Sequence, residues 1–335
     1  MNGIKSSQLF TILLCIRTFS VICCSDPSDA CSMAGAVISA AVQFLTVLPM
    51  LKLWSMKKFS LLSEPFFCIP VKILYIVFLL MWGAGSFSAL WEVSKSVYFP
   101  IDSSLMGGLI LAGVCVYTAS LGLKAASRAS FFVMGLIALS LIMIVLGALP
   151  QAELSNFVPD VKIGGALKCA LKDYCDSGEL VLCFLLLQFT KGNAAKSVKG
   201  FFIAKLLLIE CVSVIEITVL GKIMDISDFP FFKAGAFSQP FSIQRADSVY
   251  MLLFTMLCVL TATVQIILAA KLLGAILPKI RFKTLLIAVL MICVSGLVTI
   301  ADIDLGFVTG GMTVLLAAVF PLVLLIKNKF GIRNA

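Results

Sequence analysis

The sequence predicts an all-α polytopic membrane protein with ten transmembrane helices and both termini in the cytoplasm. The first observation behind this fold class is composition: 61% of the 335 residues are hydrophobic and only 13% are charged, with a mean hydropathy of +1.12. Soluble domains have about 45–50% apolar and about 25% charged residues. The second observation is a succession of apolar runs that approach the roughly 20 residues needed to cross a bilayer. The third is the distribution of charge between those runs.

Ten apolar runs follow one another, five on each side of a polar stretch at 151–176. We expect the whole chain, 1–335, to form one transmembrane domain. The first run follows Lys5, contains Arg17 and lacks a small-residue cleavage site, so we interpret it as a retained span rather than a signal peptide. The predicted spans are 8–24, 31–53, 69–93, 105–122, 130–149, 180–189, 201–220, 249–273, 284–300 and 305–326.

The charges between the runs support this count independently. Basic residues favour the cytoplasmic side of a membrane. With the N-terminus inside, the loops on the inner side hold most of the lysine and arginine, while the outer loops hold most of the acidic residues. The net charge of +9 then needs no nucleic-acid partner, because the basic residues are placed as expected for loops on the cytoplasmic side of a lipid bilayer. The inner basic residues are Lys5, Lys52, Lys57, Lys58, Lys124, Arg128, Lys191, Lys196, Lys199, Lys271, Lys279, Arg281, Lys283, Lys327, Lys329 and Arg333.

Composition also argues against enzymatic function. The chain contains no histidine, which excludes His-based acid–base chemistry, His-activated nucleophiles and His metal ligands. None of the twelve cysteines forms a C-x-x-C pair, and most lie in or beside apolar runs, where cysteine packs as a small hydrophobe. Cys169 and Cys175 share the polar stretch and either form a disulfide or remain thiols. Phosphate-binding glycine loops are also absent, so we expect no catalysis, no cofactor and no metal.

The run at 180–189 is too short to cross a bilayer as an unbroken helix, which needs roughly 20 residues. Ser177, Gly178 and Glu179 precede it, and Thr190 to Asn193 follow it. These residues loosen a helix and offer polar groups. In many transporters, a short or glycine-interrupted apolar segment marks the place where substrate is held. The sequence therefore predicts a broken sixth crossing that lines a binding site.

Charged residues inside apolar spans are costly, which makes them candidates for function. Four such residues are Arg17, Glu179, Glu210 and Glu216. Glu210 and Glu216 are six positions apart, about 240° around a helix, so both cannot face one site. Arg17 needs an anionic partner, which Glu179 or Glu210 would supply. The alternative is that Arg17 and Glu179 lie near the interface and snorkel to the headgroups.

Polar uncharged and aromatic residues within spans are a further set of candidates. Ser86, Thr261 and Gln265 are placed to line a cavity, and Trp82 is placed to close it. The alternative for the polar residues is hydrogen bonding between helices, and for the tryptophan it is ordinary packing. Gln43, Tyr75, Thr118, Gln188, Thr218 and Thr263 belong to the same set.

Several stretches resemble a known family. They are G-L-K-A-A-S-R-A-S-F-F-V-M-G-L at 122–136, L-P-Q-A-E-L-S-N-F-V-P-D at 149–160, and the segment at 229–256, in which Arg245-x-Asp247 introduces the eighth span. S-S-Q-L-F at 6–10 and S-G-E-L at 177–180 fit the same pattern. The chain thus resembles the B subunit of spore germinant receptors, the GerAB-type permeases of the amino acid/polyamine/organocation superfamily.

This resemblance implies a LeuT-like inverted repeat of five plus five helices. The first repeat would cover about 6–150, the joint 151–176, and the second repeat about 177–328. Segments one and six would be unwound around a mid-membrane site that binds a small nutrient, commonly an amino acid. The site would draw on segments one and six with help from segments three and eight, through Ile16, Arg17, Thr18, Gly178, Glu179 and Leu180.

The resemblance also implies a setting and partners: the inner membrane of an endospore, with an A subunit and a lipoprotein C subunit. The chain departs from the family pattern at segment one, which has no glycine around Arg17, and at Gln188, where many members have proline. An arginine in the site suits a carboxylate ligand. Three functions follow as hypotheses: a nutrient-sensing receptor subunit, a secondary amino acid transporter, or a scaffold with a vestigial pocket.

Overall fold

The computed structural model describes residues 3–23, 28–56, 69–93, 104–158, 160–227, 229–237, 247–301 and 305–329. Lys57, Lys58 and Arg333 of the predicted inner loops lie outside these residues. The elements are two short strands, β1 (Ile4–Lys5) and β2 (Thr190–Lys191), and thirteen α-helices in the described part of the chain: α1 (Ser6–Ile22), α2 (Ala30–Ser55), α3 (Ile69–Val93), α4 (Ser104–Ser120), α5 (Leu123–Ala148), α6 (Ile163–Asp176), α7 (Glu179–Leu187), α8 (Ala194–Leu220), α9 (Pro230–Phe237), α10 (Asp247–Ile276), α11 (Lys283–Ala301), α12 (Gly306–Thr313) and α13 (Phe320–Lys329).

The protein is an all-α polytopic membrane protein. Six stretches in the described residues are long and apolar enough to cross a bilayer: Ala30–Ser55, Ile69–Val93, Leu123–Gln151, Tyr250–Ile276, Lys283–Ala301 and Gly306–Lys327. Shorter apolar helices occupy Ser6–Ile22 and Ile110–Ser120. The total of ten spans, the inverted repeat and the cytoplasmic termini stay predictions.

The first predicted span forms one unbroken helix, α1. The unwinding of segment one that the family resemblance implies is therefore wrong for this chain. The physical reason is local, because the span contains neither glycine nor proline to interrupt the helical hydrogen bonds. The Thr18 hydroxyl bonds back to the carbonyl of Leu14 at 2.8 Å, which is compatible with a continuous helix.

Two polar stretches expected to be loops contain helices. The joint at 151–176 includes α6, and the loop at 221–248 includes α9. Helix α6 packs closely on α2, where a Cβ at Gly35 would lie within 2.9 Å of the backbone of Ala166 and Ala170. Its opposite side exposes Leu167 and Leu171. Hydropathy does not reveal helix α6, because many of its residues are polar and it is too short to span a membrane.

The predicted sixth span contains only a short helix, and a break precedes it. Helix α7 has only nine residues, all buried, about 14 Å of helix at 1.5 Å per residue. Ser177 and Gly178 separate it from α6. At its other end, β2 pairs in parallel with β1, with Ile4 opposite Thr190. Gly192 then turns the chain at φ 96°, a conformation that favours glycine.

The last predicted span contains a π-helix at Val314–Val319 between α12 and α13. Within this π-helix, the Leu316 carbonyl accepts a hydrogen bond of 2.9 Å from the buried Tyr75 hydroxyl. The Tyr75 ring also stacks on Phe184 with 6.1 Å between centroids. Tyr75 therefore links α3 and the π-helix to the short helix α7.

Candidate binding site around the broken sixth segment

Arg17 and Glu179 meet in the protein interior. The Glu179 side chain is 0% exposed and that of Arg17 is 6% exposed, with 3.8 Å between Arg17 Nη1 and Glu179 Oε1. Arg17 also forms an ion pair with Asp173 of α6. Both side chains are enclosed by protein, so the alternative in which they snorkel to the headgroups is not supported. Of the two anions proposed for Arg17, the structure supplies Glu179 and not Glu210.

Lys205 of α8 brings a second cation to the same carboxylate. Its Nζ lies 2.7 Å from Glu179 Oε1, 2.5 Å from Gln43 Oε1 and 2.9 Å from Ser177 Oγ. The Lys205 side chain is 0% exposed. A buried ammonium is tolerated only when it is paired and hydrogen-bonded, and Lys205 meets both conditions.

Ser177, at the gap between α6 and α7, is the centre of this network. Its hydroxyl donates to the Asp173 carbonyl at 2.6 Å and accepts from Lys205 and from Gln43 Nε2, each at 2.9 Å. Gln43 Nε2 also lies 3.0 Å from Asp173 Oδ2 and 2.7 Å from Ser39 Oγ. These bonds fix the broken segment to α2 and α8.

The charges of the network balance, since Arg17 and Lys205 face Asp173 and Glu179. Burial opposes the ionisation of Asp173, but the positive charges of Arg17 and Lys205 outweigh it and lower the pKa of its carboxyl to about 2. Asp173 is therefore anionic at physiological pH. Removing one partner of such a buried set costs about 3–5 kcal/mol, because the remaining charge is left uncompensated.

Helix α3 connects the gap to α10. The Trp82 ring lies against Gly178, where an added Cβ would be 2.5 Å from Cε2. The next residue, Gly83, approaches Gln265, and an added Cβ there would be 2.9 Å from Oε1. One turn later, the Ser86 carbonyl accepts from the Cys258 thiol at 3.6 Å. Helices α3 and α10 therefore pack on each other beside the broken segment, while the Ser86 hydroxyl donates to the Trp82 carbonyl at 3.2 Å within α3.

Several buried polar atoms of the candidate site have no hydrogen-bond partner among the described residues. They are Arg17 Nε, Glu179 Oε2, Thr261 Oγ1 and both amide atoms of Gln265. Such atoms are rare in native structures and call for an explanation, such as a bound ligand or water. Thr261 and Gln265 are four residues apart on α10 and share one helix face.

The remaining predicted site residues have structural surroundings. Ile16 and Leu180 are core residues, at 0% and 1% exposure, and the Thr18 hydroxyl is used within α1. Glu216 is buried and accepts a hydrogen bond of 2.6 Å from Ser28. Glu210 is partly exposed, with one buried, unpartnered oxygen.

Sequence reasoning missed Asp173, Lys205 and the central role of Ser177. Asp173 lies in a stretch that was expected to be an outer loop. Lys205 lies inside the predicted span 201–220, but it follows Lys196 and Lys199 closely and was not distinguished from these basic loop residues. The available signal was its position after Phe201 and Phe202, already inside an apolar run, where a charge is expensive.

Gly178→Ala tests the contact between α3 and the gap. Because the new methyl group would overlap the rigid Trp82 ring, we expect a loss of about 1–3 kcal/mol in stability, measured as a lowered thermal midpoint in detergent. Gly85→Ala in α3 is the matched control, since a Cβ there meets nothing within 4 Å. Equal midpoints for the two variants would contradict the contact.

Two other features take no part in the hydrogen-bond network of the site. Cys169 and Cys175 are both thiols, so the disulfide alternative is wrong. A partly open, apolar cleft is formed by α1, α5, α9 and α10, with Ile22, Phe232 and Phe254 among its lining residues. It contains none of the predicted site residues, so it does not support a polar nutrient site.

Comparison with known proteins gives the family. A search of the curated proteins found no significant match. The family model described as Spore germination protein matches residues 62–305, well over half of the chain. The match includes Asp173, Glu179, Lys205 and Gln265, whereas Arg17 precedes it. The chain therefore belongs to the spore germination protein family, a family of germination-related membrane permeases.

Proposed function

We propose that this chain is the membrane subunit of a spore germinant receptor. It binds a small zwitterionic nutrient, an amino acid in the simplest case, between α1, α3, α7 and α10. Binding changes how the broken segment is held, and partner subunits of the A type and the lipoprotein C type receive that change. The proposed location is the inner membrane of the spore.

The observation that carries this proposal is the set of unpartnered polar atoms. Arg17 Nε is a donor and Glu179 Oε2 an acceptor, both buried and both unused. A zwitterion brings a carboxylate for the first and an ammonium for the second, each through a charge-assisted hydrogen bond. Gln265 and Thr261 offer further donors and acceptors. A purely apolar ligand would leave all of these atoms unsatisfied.

The continuous helix α1 favours sensing over transport. In transporters of this kind, broken helices supply the flexible backbone around the substrate, and of the first and sixth predicted segments only the sixth is broken here. A secondary transporter is the second candidate, because it would use the same site. A scaffold with a vestigial pocket is the third, and it needs no ligand at all.

Two measurements separate the three functions. Isothermal calorimetry on the purified chain with single amino acids tests binding, and uptake of labelled amino acids into proteoliposomes tests transport. The receptor predicts binding without accumulation. Accumulation above the level of empty liposomes would favour the transporter. A chain that binds no nutrient, alone or with its partner subunits, would favour the scaffold.

Gln265→Leu is expected to abolish ligand binding while leaving stability unchanged or raised. The amide has no hydrogen-bond partner among the described residues, so an apolar side chain of similar size removes a desolvation cost of about 1–3 kcal/mol. Gln43→Leu is the matched control. Its amide is fully bonded, so this change should lower the thermal midpoint. A destabilised Gln265→Leu protein with normal binding would refute the role of Gln265.

A further inference from the structure

The ammonium of Lys205 lies in a cage of three side-chain oxygens. They come from Gln43 of α2, Ser177 of the gap and Glu179 of α7, at 2.5, 2.9 and 2.7 Å from Nζ. Lys205 itself is 0% exposed. The cage is therefore a buried site, assembled from three separate parts of the chain, with a positive charge at its centre.

The position and chemistry of the cage resemble those of a monovalent-cation site in two respects, the oxygen ligands and the break between two helices. Coupling cations in membrane proteins with broken helices are held where half-helices end, and Ser177 lies where α6 ends and α7 begins. Hard cations take oxygen ligands. One carboxylate, one amide and one hydroxyl carry a single negative charge. Among the described residues, no group of three His, Cys, Asp or Glu could hold a metal ion.

We propose that the oxygens of Gln43, Ser177 and Glu179 form a monovalent-cation site that this chain fills permanently with the ammonium of Lys205. The broken segment is then held without bound Na⁺ or K⁺, and this site gives the protein no dependence on a sodium or potassium gradient. The proposal concerns the resting protein and does not depend on which nutrient is bound.

Charge balance gives the proposal its test. Arg17 is already paired with Asp173, so removing the lysine charge leaves the network with one excess negative charge. Lys205→Ala removes the charge and also leaves room for an ion beside Glu179. Lys205→Met removes the charge but keeps most of the side-chain volume, so it leaves no room. The two variants therefore separate loss of charge from opening of the site.

The experiment measures thermal midpoints of the purified full chain in NaCl, KCl and N-methylglucamine chloride at equal ionic strength, which keeps general screening constant. The wild type should have the same midpoint in all three salts. Lys205→Ala should be destabilised in N-methylglucamine and recover by at least about 4 °C in saturating Na⁺ or K⁺, as expected for an ion that binds only the folded state. Lys205→Met should stay low in every salt.

Lys271→Ala is the control for loss of a lysine elsewhere. Lys271 lies over the Phe189 ring at 3.8 Å, outside the cage, and its variant should not respond to the identity of the cation. A wild type that loses stability when Na⁺ and K⁺ are removed would overturn the proposal. So would a Lys205→Ala protein that fails to fold in all three salts, or one whose midpoint ignores the cation.

Discussion

Glu179→Leu is expected to destabilise the protein by about 3–5 kcal/mol, the cost of leaving buried charge uncompensated. Glu179 is the only carboxylate that pairs with both cations of the described network, so its loss leaves Lys205 without an ion-pair partner. The measurement is the thermal midpoint and the folded yield of the purified chain. The size of the effect follows from the complete burial of both Glu179 and Lys205.

The double variant Glu179→Leu with Lys205→Met sharpens this prediction. Replacing both members of a buried pair by apolar residues is often close to neutral, so most of the lost stability should return. A double-mutant cycle then gives the coupling energy between the two side chains. Glu210→Leu is the matched control on α8, with an expected change of less than about 1 kcal/mol. Additive single and double effects would show that the pair is not coupled.

Arg17→Ala is expected to abolish the response to an acidic or zwitterionic germinant. It removes the buried donor proposed for the ligand carboxylate and also leaves Asp173 and Glu179 short of a cation. The measurement is a germination dose curve for spores that carry this chain with its partner subunits. An unchanged curve would remove Arg17 from the site.

Arg17→Lys separates binding from the stability of the network. Lysine keeps the charge but loses the planar, multiple-donor geometry of arginine. We therefore expect a folded protein whose response needs about ten- to a hundredfold more germinant, the equivalent of one lost charge-assisted hydrogen bond of about 1.5–3 kcal/mol. A wild-type dose curve in Arg17→Lys, together with a folded protein, would mean that charge alone is sufficient.

The residues that sequence reasoning found are those whose chemistry is unusual in their own segment. Arg17 and Glu179 are charges beside or within apolar runs, and Gly178 marks a break that a run of ten residues already requires. Trp82 and Gln265 were only two among several polar or aromatic candidates. Trp82 contacts Gly178 and Gln265 contacts Gly83, which distinguishes these two residues from the other candidates. Both contacts depend on the placement of α3 and α10.

The departures have local physical causes as well. Family resemblance implies an unwound segment one, but a stretch without glycine or proline keeps its helical hydrogen bonds, so α1 is continuous. Helix α6 lies in a stretch with two adjacent glycines, Gly164 and Gly165, which suggests a loop. Its close packing on α2 at Gly35 is a tertiary contact that stabilises the helix against that local tendency.

The sequence by itself determined that the chain is a polytopic membrane protein with a short apolar segment at 180–189 that follows a break. The free energy of moving a segment from water into lipid is the sum of the contributions of its own side chains. Each segment therefore predicts by itself whether it enters the membrane. The tertiary structure alone decided that Asp173 and Lys205 neutralise the site and that Ser177 joins them. Arg17 and Asp173 are 156 positions apart, and only the packing of four helices determines which buried charges meet.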